Sequence, residues 1–184
     1  MTLRRSIPAA LLIVLLSPAI ATSAAADTKP DPPAGNPQQA IYGDEIINLA
    51  EDWSTAQACI ELTVETRCYA THAELQEAHA DLVGASEGGE FAPRAACGSS
   101  LALWDLTGFN PPVVYFNTRN VYHNLSLFGF DRKPSSYQIG ACSAVFFDGQ
   151  GGGGGIYPGS TSAGSSASSM QTGWNNRVRS LYIY

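Results

Sequence analysis

The feature that most constrains the fold of this chain is an internal repeat in its second half. Residues 129–139, GFDRKPSSYQI, recur 44 positions later as residues 173–183, GWNNRVRSLYI. Both segments place Gly before an aromatic residue and Asp or Asn after it, and both end in Ser, an apolar residue, a variable residue and Ile. Residues 102–105 also match residues 145–148, at a spacing of 43. Each unit is too small to bury a sheet face alone, so the two are expected to pack as paired sheets.

Short aromatic and β-branched runs around the repeat predict an all-β domain. The shared Gly permits a positive φ, the Asp or Asn side chain can bond its own following backbone, and the Ser can tie the loop to the next strand. Gly, Pro, Asn and Ser separate the runs, as is typical of a sandwich or barrel. The predicted strands are residues 101–105, 113–116, 136–139, 144–147 and 180–184.

These motifs resemble the βγ-crystallin superfamily, whose Greek-key unit has an aromatic corner near its start and a loop of the form Asp/Asn-Asp/Asn-x-x-Ser/Thr-Ser near its end. Residues 104–109, WDLTGF, resemble the first corner, and residues 147–150, FDGQ, with the glycines that follow, resemble a loosened second one. The loops are DRKPSS at 131–136 and NNRVRS at 175–180.

The resemblance implies a βγ-crystallin-like double Greek-key sandwich over residues 97–184, with repeats of about 97–140 and 141–184. The protein also looks like secreted actinobacterial proteins that are grouped with the peptidase inhibitor family I36.

The resemblance further implies calcium ligands in the paired loops, because calcium-binding members use backbone carbonyls and a Ser or Thr hydroxyl as hard oxygen ligands. Arg132 and Arg179 depart from that pattern, since they stand where the family has Asp or Asn and Ser or Thr. Two alternatives stay open, namely one weakened calcium site and loops that only close the Greek keys. Repulsion between the arginines and a dication favours the second. The ligands that remain are Asp131, Ser135, Asn175 and Asn176.

A basic cluster lies in or beside these loops. It consists of Arg132, Lys133, Arg177 and Arg179. One hypothesis is that the arginines replace the ion, either by bridging the loops or by docking the acidic segment of residues 44–90. The other is a solvated basic rim.

Charge is divided unevenly along the chain. Residues 27–96 carry a net charge of −10, whereas residues 97–184 carry +2. Neither part has a basic stripe with interleaved aromatic residues, so nucleic acid is not an expected partner.

The first 26 residues predict a cleaved secretion signal, because Arg4 and Arg5 precede an apolar run and residues 24–26 offer a small-residue cleavage site. The apolar stretch of 14 residues is shorter than the roughly 20 needed to cross a bilayer, so no stable membrane anchor is predicted. Residues 27–39 are predicted to form a proline-rich flexible tether.

Residues 40–96 are predicted to form a small acidic α+β region. Mixed apolar spacing suggests a short helix over 40–53, and alternation over 59–68 predicts a strand whose ends a disulfide would clamp. A capping box at 71–74 predicts the start of a helix over 73–83.

The four cysteines predict two disulfides in an oxidising compartment. Three pairings can be drawn, and closeness in sequence favours Cys59–Cys68 and Cys97–Cys142. A zinc site is excluded because no pair is spaced C-x-x-C and no histidine cluster lies nearby.

Together these features predict a secreted, extracellular binding or inhibitory protein and no catalytic residues. The G-x-G-x-x-G match at 149–154 lacks a following helix, and the Ser-rich run at 160–169 lacks a G-x-S-x-G elbow. The resemblance implies inhibition of an extracellular metallopeptidase through a rigid loop, for which residues 117–124 and 149–159 are candidates. A monomer is expected. The alternatives are a calcium-stabilised structural or envelope-associated protein and a killer-toxin-like antimicrobial.

Overall fold

A computed structural model describes residues 38–83 and 99–184 of the chain. The predicted signal peptide, nearly all of the predicted tether, and Cys97 lie outside these residues, and Gln39, the last residue of that tether, begins the first strand. The described strands are β1 (Gln39–Tyr42), β2 (Glu45–Asn48), β3 (Ala58–Glu61), β4 (Thr66–Tyr69), β5 (Leu101–Trp104), β6 (Val113–Phe116), β7 (Tyr122–Asn124), β8 (Ser136–Gln138), β9 (Ala144–Phe147), β10 (Ser166–Ala167) and β11 (Ser180–Ile183). The described helices are α1 (His72–Ala78) and α2 (Ala80–Val83).

The described strands form two sheets that exchange strands between the repeats. The large sheet has the order β10-β8-β5-β6-β3-β4-β1-β2, and the small sheet has the order β7-β11-β9, extended by a bridge between Phe147 and Ile156. The third strand of each repeat, β7 or β10, therefore pairs in the sheet of the other repeat. This exchange gives the C-terminal half the double Greek-key fold that the repeat predicts.

Hydrogen bonds repeat with the sequence. The Ser136 hydroxyl donates to the Leu106 carbonyl and accepts from the Phe109 N–H, at 2.7 and 3.2 Å. In the second repeat, Ser180 donates to Gly149 and accepts from Gly152, at 2.6 and 3.0 Å. The shared Ser therefore fastens the corner that precedes its strand in both repeats, as the sequence predicts.

The predicted strands of the second half are confirmed, to within a residue or two at their ends. Two short strands, β7 and β10, were not predicted. The reason is that each has three or fewer residues and is polar or small in sequence, so only pairing in the other repeat's sheet makes it a strand.

The main core lies between the two sheets. Its largest fully buried side chains include Phe116, Phe128, Tyr137 and Phe146. Burying one such side chain contributes roughly 1.5–3 kcal/mol, so this interface supplies much of the stability of the repeats.

The predicted helix over residues 40–53 is wrong. The segment instead forms the β1–β2 hairpin, whose strands pair antiparallel from Gln39 with Asn48 to Tyr42 with Glu45. Gly43 supplies a φ of +59° in the two-residue turn. Isoleucines on either side of this glycine favour two short strands, and the glycine interrupts a helix.

The predicted strand over residues 59–68 is also wrong, although the Cys59–Cys68 disulfide is confirmed. The segment is the β3–β4 hairpin, and the two cysteines face each other across it with Cα atoms 4.1 Å apart. An extended strand rises about 3.3 Å per residue, so one strand could not bring its two ends within disulfide reach. The Cys97–Cys142 pairing stays a prediction, because Cys97 lies outside the described residues.

The predicted helix start at Thr71 is confirmed, but the single helix predicted over residues 73–83 is broken into two. The Thr71 hydroxyl accepts from the Glu74 N–H at 3.2 Å and begins α1. The helix then ends at His79, whose φ of −131° leaves the helical region, and α2 follows as a single turn. In the described part of the chain, no helix is long and apolar enough to cross a membrane.

The acidic region is built into the sheet of the repeats. Strand β3 pairs parallel with β6, from Ala58 with Val113 to Glu61 with Phe116. Trp53 donates from its indole N–H to the Phe128 carbonyl at 2.8 Å and stacks on Phe130, with ring centroids 5.5 Å apart. The hairpins of residues 39–69 therefore extend the large sheet beyond the Greek keys.

Candidate functional site

The outer faces of the two sheets differ in what covers them. On the large sheet, α1 and α2 pack over β3, β5 and β6, where Leu75 and Val83 contact Trp104 and its neighbours. Trp104 is 1% exposed as a result. On the outer face of the small sheet, the glycine turn of residues 150–152 packs over Ser180, and no described helix of the α1 or α2 kind covers the rest.

We call the apolar part of this outer face the tyrosine face. It consists of Tyr122, Val145, Phe147, Ile156, Tyr182 and Tyr184, which lie on one side of the small sheet because their strands pair in register. Tyr122 is 53% exposed and Tyr184 is 57% exposed. Ring centroids lie 5.0 Å apart for Tyr122 and Tyr182, and 5.2 Å apart for Tyr182 and Tyr184. The tyrosine face is thus a contiguous exposed aromatic patch.

The sequence of the last strand carries a signal for the tyrosine face. In the last strand, Leu181 and Ile183 are buried, and Tyr182 and Tyr184 alternate with them. Period-two alternation places the two tyrosines on the outer side of the sheet. Whether that side is covered depends on the other elements, which the pattern does not reveal.

One of the two candidate loops, residues 117–124, adjoins the tyrosine face and is held at its base. The Glu61 carboxylate accepts from the backbone N–H of Asn117 at 3.1 Å and from that of Thr118 at 3.0 Å. Further along, the Asn120 N–H donates to the Ile183 carbonyl at 2.8 Å. The exposed residues of this loop are Arg119, Asn120, Val121 and Tyr122.

The other candidate loop, residues 149–159, is also held in place, contrary to the flexibility that its glycines suggest. The Gly151 N–H donates to the Asn124 side-chain oxygen at 2.6 Å, and the Gly155 N–H donates to the Asp148 carboxylate at 2.5 Å. A Cβ on Gly152 would lie 2.3 Å from the Tyr122 ring, so this glycine lets the loop rest on the tyrosine face.

The paired Greek-key loops meet symmetrically at their backbones. The Arg132 N–H donates to the Val178 carbonyl at 2.9 Å, and the Asn176 N–H donates to the Pro134 carbonyl at 3.0 Å. Arg132 and Asn176 both have left-handed backbones, with φ of +56° and +59°. The two loops therefore have equivalent backbone hydrogen bonds and backbone conformations, although their side chains differ.

The four predicted calcium ligands do not fit an open calcium site as they are arranged. The Arg179 guanidinium donates to both oxygens of Asp131, at 3.1 to 3.3 Å, across the two loops. The Ser135 hydroxyl donates to the Asn176 side-chain oxygen at 3.0 Å. Asn175 points to Ser169, at 3.4 Å. The Arg179 guanidinium therefore already binds the Asp131 carboxylate, and the Ser135 hydroxyl and the Asn176 amide oxygen are bonded to each other.

Two arginines of the basic cluster pair with aspartates of the repeats, and one of these pairs, Arg179 with Asp131, joins the two loops as the bridging form of the ion-replacement hypothesis expects. Arg179 binds Asp131, and Arg177 binds Asp148. Lys133 lies 5.9 Å from the Phe130 ring centroid. Among residues 38–83 and 99–184, no member of the cluster forms an ion pair with the acidic region.

Two equivalent aspartates differ in their environment. Asp105 follows β5, and burial raises its pKa while Lys133 opposes that rise. Asp148 follows β9, and its hydrogen bonds, first from Arg177 and then from the Gly155 backbone, lower its pKa. Asp148 therefore keeps its negative charge to a lower pH than Asp105 does.

All three histidines have hydrogen-bond partners within the fold. His72 bonds the Tyr115 hydroxyl at 2.6 Å, His79 bonds the Tyr69 hydroxyl at 2.8 Å, and His123 bonds the Thr118 carbonyl at 2.8 Å. No group of three or more His, Cys, Asp or Glu residues in the described ranges is placed to hold a metal ion.

Comparison with known proteins gives structural neighbours only. No protein-family model matches the chain, and no curated protein is significantly similar to it. The N-terminal domain of protein S is similar over 47% of this chain and 96% of its own, with a TM-score of 0.38 and 15% identity. A βγ-crystallin from Ciona intestinalis covers 47% of this chain and all of its own, with a TM-score of 0.39 and 16% identity. A βγ-crystallin domain from Flavobacterium johnsoniae covers 46% of this chain and 92% of its own, with a TM-score of 0.37 and 19% identity. The strand exchange and the paired loops of this chain are what define its C-terminal half as a βγ-crystallin-like fold.

Proposed function

We propose that the protein is a secreted, non-catalytic binding protein that inhibits an extracellular protease, with a metallopeptidase as its target. The observation that carries this proposal is the tyrosine face, which continues into the anchored loop of residues 117–124. Contiguous exposed apolar patches mark protein interaction sites, and tyrosine is enriched in such interfaces.

The anchored loop supports inhibition in particular. An inhibitor binds tightly when the segment that enters the protease cleft is ordered before binding, because less conformational entropy is lost. Glu61 holds the first residues of the loop through two backbone N–H groups, and pairing of β7 with β11 holds the last ones. Between them, Arg119, Asn120 and Val121 are exposed at the surface, where a protease cleft can contact them.

The test is a panel of extracellular proteases, including thermolysin-type and subtilisin-type enzymes, assayed with the protein purified from the medium of a secreting host. We expect inhibition of a metallopeptidase at micromolar concentration or below. The mass of the purified chain checks secretion at the same time, because cleavage after Ala26 removes the predicted signal.

Matched variants locate the contact. Tyr122→Ser on the tyrosine face should weaken inhibition by about tenfold or more, since buried interface tyrosines commonly contribute 1.4 kcal/mol or more. Val64→Ser is the control, because Val64 is 64% exposed and lies at the tip of the β3–β4 hairpin. Glu61→Gln should also weaken inhibition, since it loosens the base of the loop.

Two results would overturn the proposal. If no protease in the panel is inhibited, the inhibitory function is wrong. If Tyr122→Ser and Val64→Ser reduce inhibition equally, the tyrosine face is not the contact surface.

A further inference from the structure

A small surface cleft lies where the second Greek-key loop meets the second corner. It is lined by Arg132, Asp148, Asn176 and Arg177. Arg132, Asn176 and Arg177 are exposed, so two guanidinium groups and one amide border the cleft beside a single carboxylate.

That carboxylate is already bonded within the fold. Asp148 accepts from the Arg177 Nε at 2.9 Å and from the Gly155 backbone N–H at 2.5 Å. Arg177 also lies over the Trp174 ring, with its guanidinium carbon 4.8 Å from the ring centroid. The aspartate and the indole therefore fix Arg177 in one orientation, which reduces the entropy lost when it binds a ligand.

The other two side chains present donors. The side-chain oxygen of Asn176 accepts from the Ser135 hydroxyl, so its amide N–H groups point away from Ser135. The Arg132 backbone is fixed by its N–H bond to Val178, at 2.9 Å. Within the described ranges, the Arg132 guanidinium forms no ion pair, unlike Arg177 and Arg179.

Arg179, in the same pair of loops, shows the contrast. It reaches Asp131 of the facing loop, and both charges are paired. At the cleft, the loops carry Arg132, which forms no ion pair within the described ranges, next to an oriented Arg177. The loop pair thus joins one arginine to an aspartate across the loops and leaves the Arg132 guanidinium for a ligand.

We propose that this cleft binds an oxyanion, meaning a carboxylate, sulfate or phosphate group, with Arg132 as the main charged contact and Arg177 and Asn176 as further donors. Arginine suits this role because its planar guanidinium matches the geometry of an oxyanion with two parallel N–H groups. The proposal stands apart from protease inhibition, because the cleft is formed by the Greek-key loops and not by the tyrosine face.

The test is a nuclear magnetic resonance titration of the secreted protein with sodium acetate, sodium sulfate and sodium phosphate, at an ionic strength held constant with sodium chloride. The amide signals of Gly155 and Asn176 and the Nε signals of the arginines report on the cleft. We expect saturable shifts at these positions with at least one of the three anions and none with chloride alone. A preference for acetate identifies a carboxylate ligand, and a preference for sulfate or phosphate identifies an ester of those acids.

Variants decide whether the cleft is responsible. Arg132→Gln should weaken anion binding by about tenfold or more, because it removes a charge-assisted hydrogen bond. Arg119→Gln is the control, since Arg119 is also an exposed arginine but lies in the loop of residues 117–124 and does not line the cleft. Shifts that do not saturate, or equal binding by wild type and Arg132→Gln, would overturn the proposal.

Discussion

The two sheets of the repeat domain are built from equivalent strands, yet their outer faces differ. The outer face of the large sheet is buried beneath helices, whereas much of the outer face of the small sheet is exposed to solvent. Trp104 ends β5 under the helices and is 1% exposed, while Phe147 ends the equivalent strand β9 and is half-buried on the tyrosine face. The equivalent residues Ala102 and Val145 differ in the same way, since Ala102 is buried and Val145 is half-buried. The acidic region causes the difference, because it covers one outer face with α1 and α2 and extends the edge of the same sheet.

This comparison teaches that a symmetric scaffold can be made asymmetric by what is added to it. The added region stabilises one sheet, and the anchoring of Glu61 shows that it also shapes a loop at the open side. If the comparison is right, changes on the covered face affect stability, whereas changes on the open face affect binding.

The largest expected effect is on the covered face. Trp104→Ala should lower the free energy of unfolding by about 3–5 kcal/mol, because it leaves a cavity beneath α1. Phe147→Ala should cost less than half of that loss, since its side chain already contacts solvent. Urea unfolding followed by circular dichroism measures both, and equal losses would contradict the comparison.

The next effect concerns the disulfide of the added hairpins. Replacing both Cys59 and Cys68 by Ala should cost about 3 kcal/mol, because a loop of ten residues is no longer closed in the unfolded chain. Hydrogen exchange should speed up in β3 and β4 more than in β9 and β11. Uniform acceleration in both sheets would show that the sheets are not stabilised separately.

A pair of glycines tests how closely the added region docks. Gly129 and Gly173 occupy equivalent repeat positions with φ of +61° and +82°. A Cβ on Gly129 would lie 2.1 Å from the Leu49 carbonyl oxygen, whereas one on Gly173 would meet open space. Gly129→Ala should therefore cost about 1–3 kcal/mol more than Gly173→Ala, because strain is common to both but the clash is not. Thermal unfolding of the two variants measures the difference, and equal costs would mean that Leu49 can move away freely.

The smallest effect is a pH dependence of the covered face. Burial lowers the pKa of His72 and is the main cause of the lowered pKa of His79, from the usual value of 6.5. The two histidines of the unfolded chain then bind protons more readily than those of the folded one. Their contribution to the free energy of unfolding is therefore present above about pH 6.5 and falls as the pH decreases below it. Asp148 on the open side has a dependence of the same sign but at lower pH, because its lowered pKa gives stability that is lost only as the pH falls below 3.8.

Hydrogen exchange at pH 7 and pH 5 checks this predicted acid sensitivity of the covered face. Amides of α1 should exchange faster at pH 5, after correction for the intrinsic rate, while those of β9 and β11 should change little. His72→Gln, which keeps a hydrogen-bonding side chain next to Tyr115, should reduce the acid effect. An unchanged acid effect in that variant would remove His72 from the explanation.

The second half of the chain was largely predictable because its signals are local and repeated. The Ser at 136 and 180, the glycines before the aromatic residues and the five predicted strands follow from residues that lie close together in sequence. The pairing of Asp131 with Arg179 was anticipated only as the bridging hypothesis, since partners 48 residues apart cannot be assigned from a pattern.

The acidic region was predicted less well. Its helix cap at Thr71 and its first disulfide follow from short spacings, but the hairpins over residues 39–69 do not. Strands of four residues are too short to show a clear periodicity. Strand β3 also depends on pairing with β6, which lies more than fifty residues away in sequence.

The sequence by itself determined that residues 97–184 contain two related β units, because hydrophobic alternation and turn residues encode each strand and corner locally. Only the tertiary structure decided that the acidic region joins one sheet, that the helices cover its outer face, and that the tyrosines of the other sheet stay exposed. The physical reason is that burial depends on which surfaces meet, and a surface is formed only when distant segments are brought together.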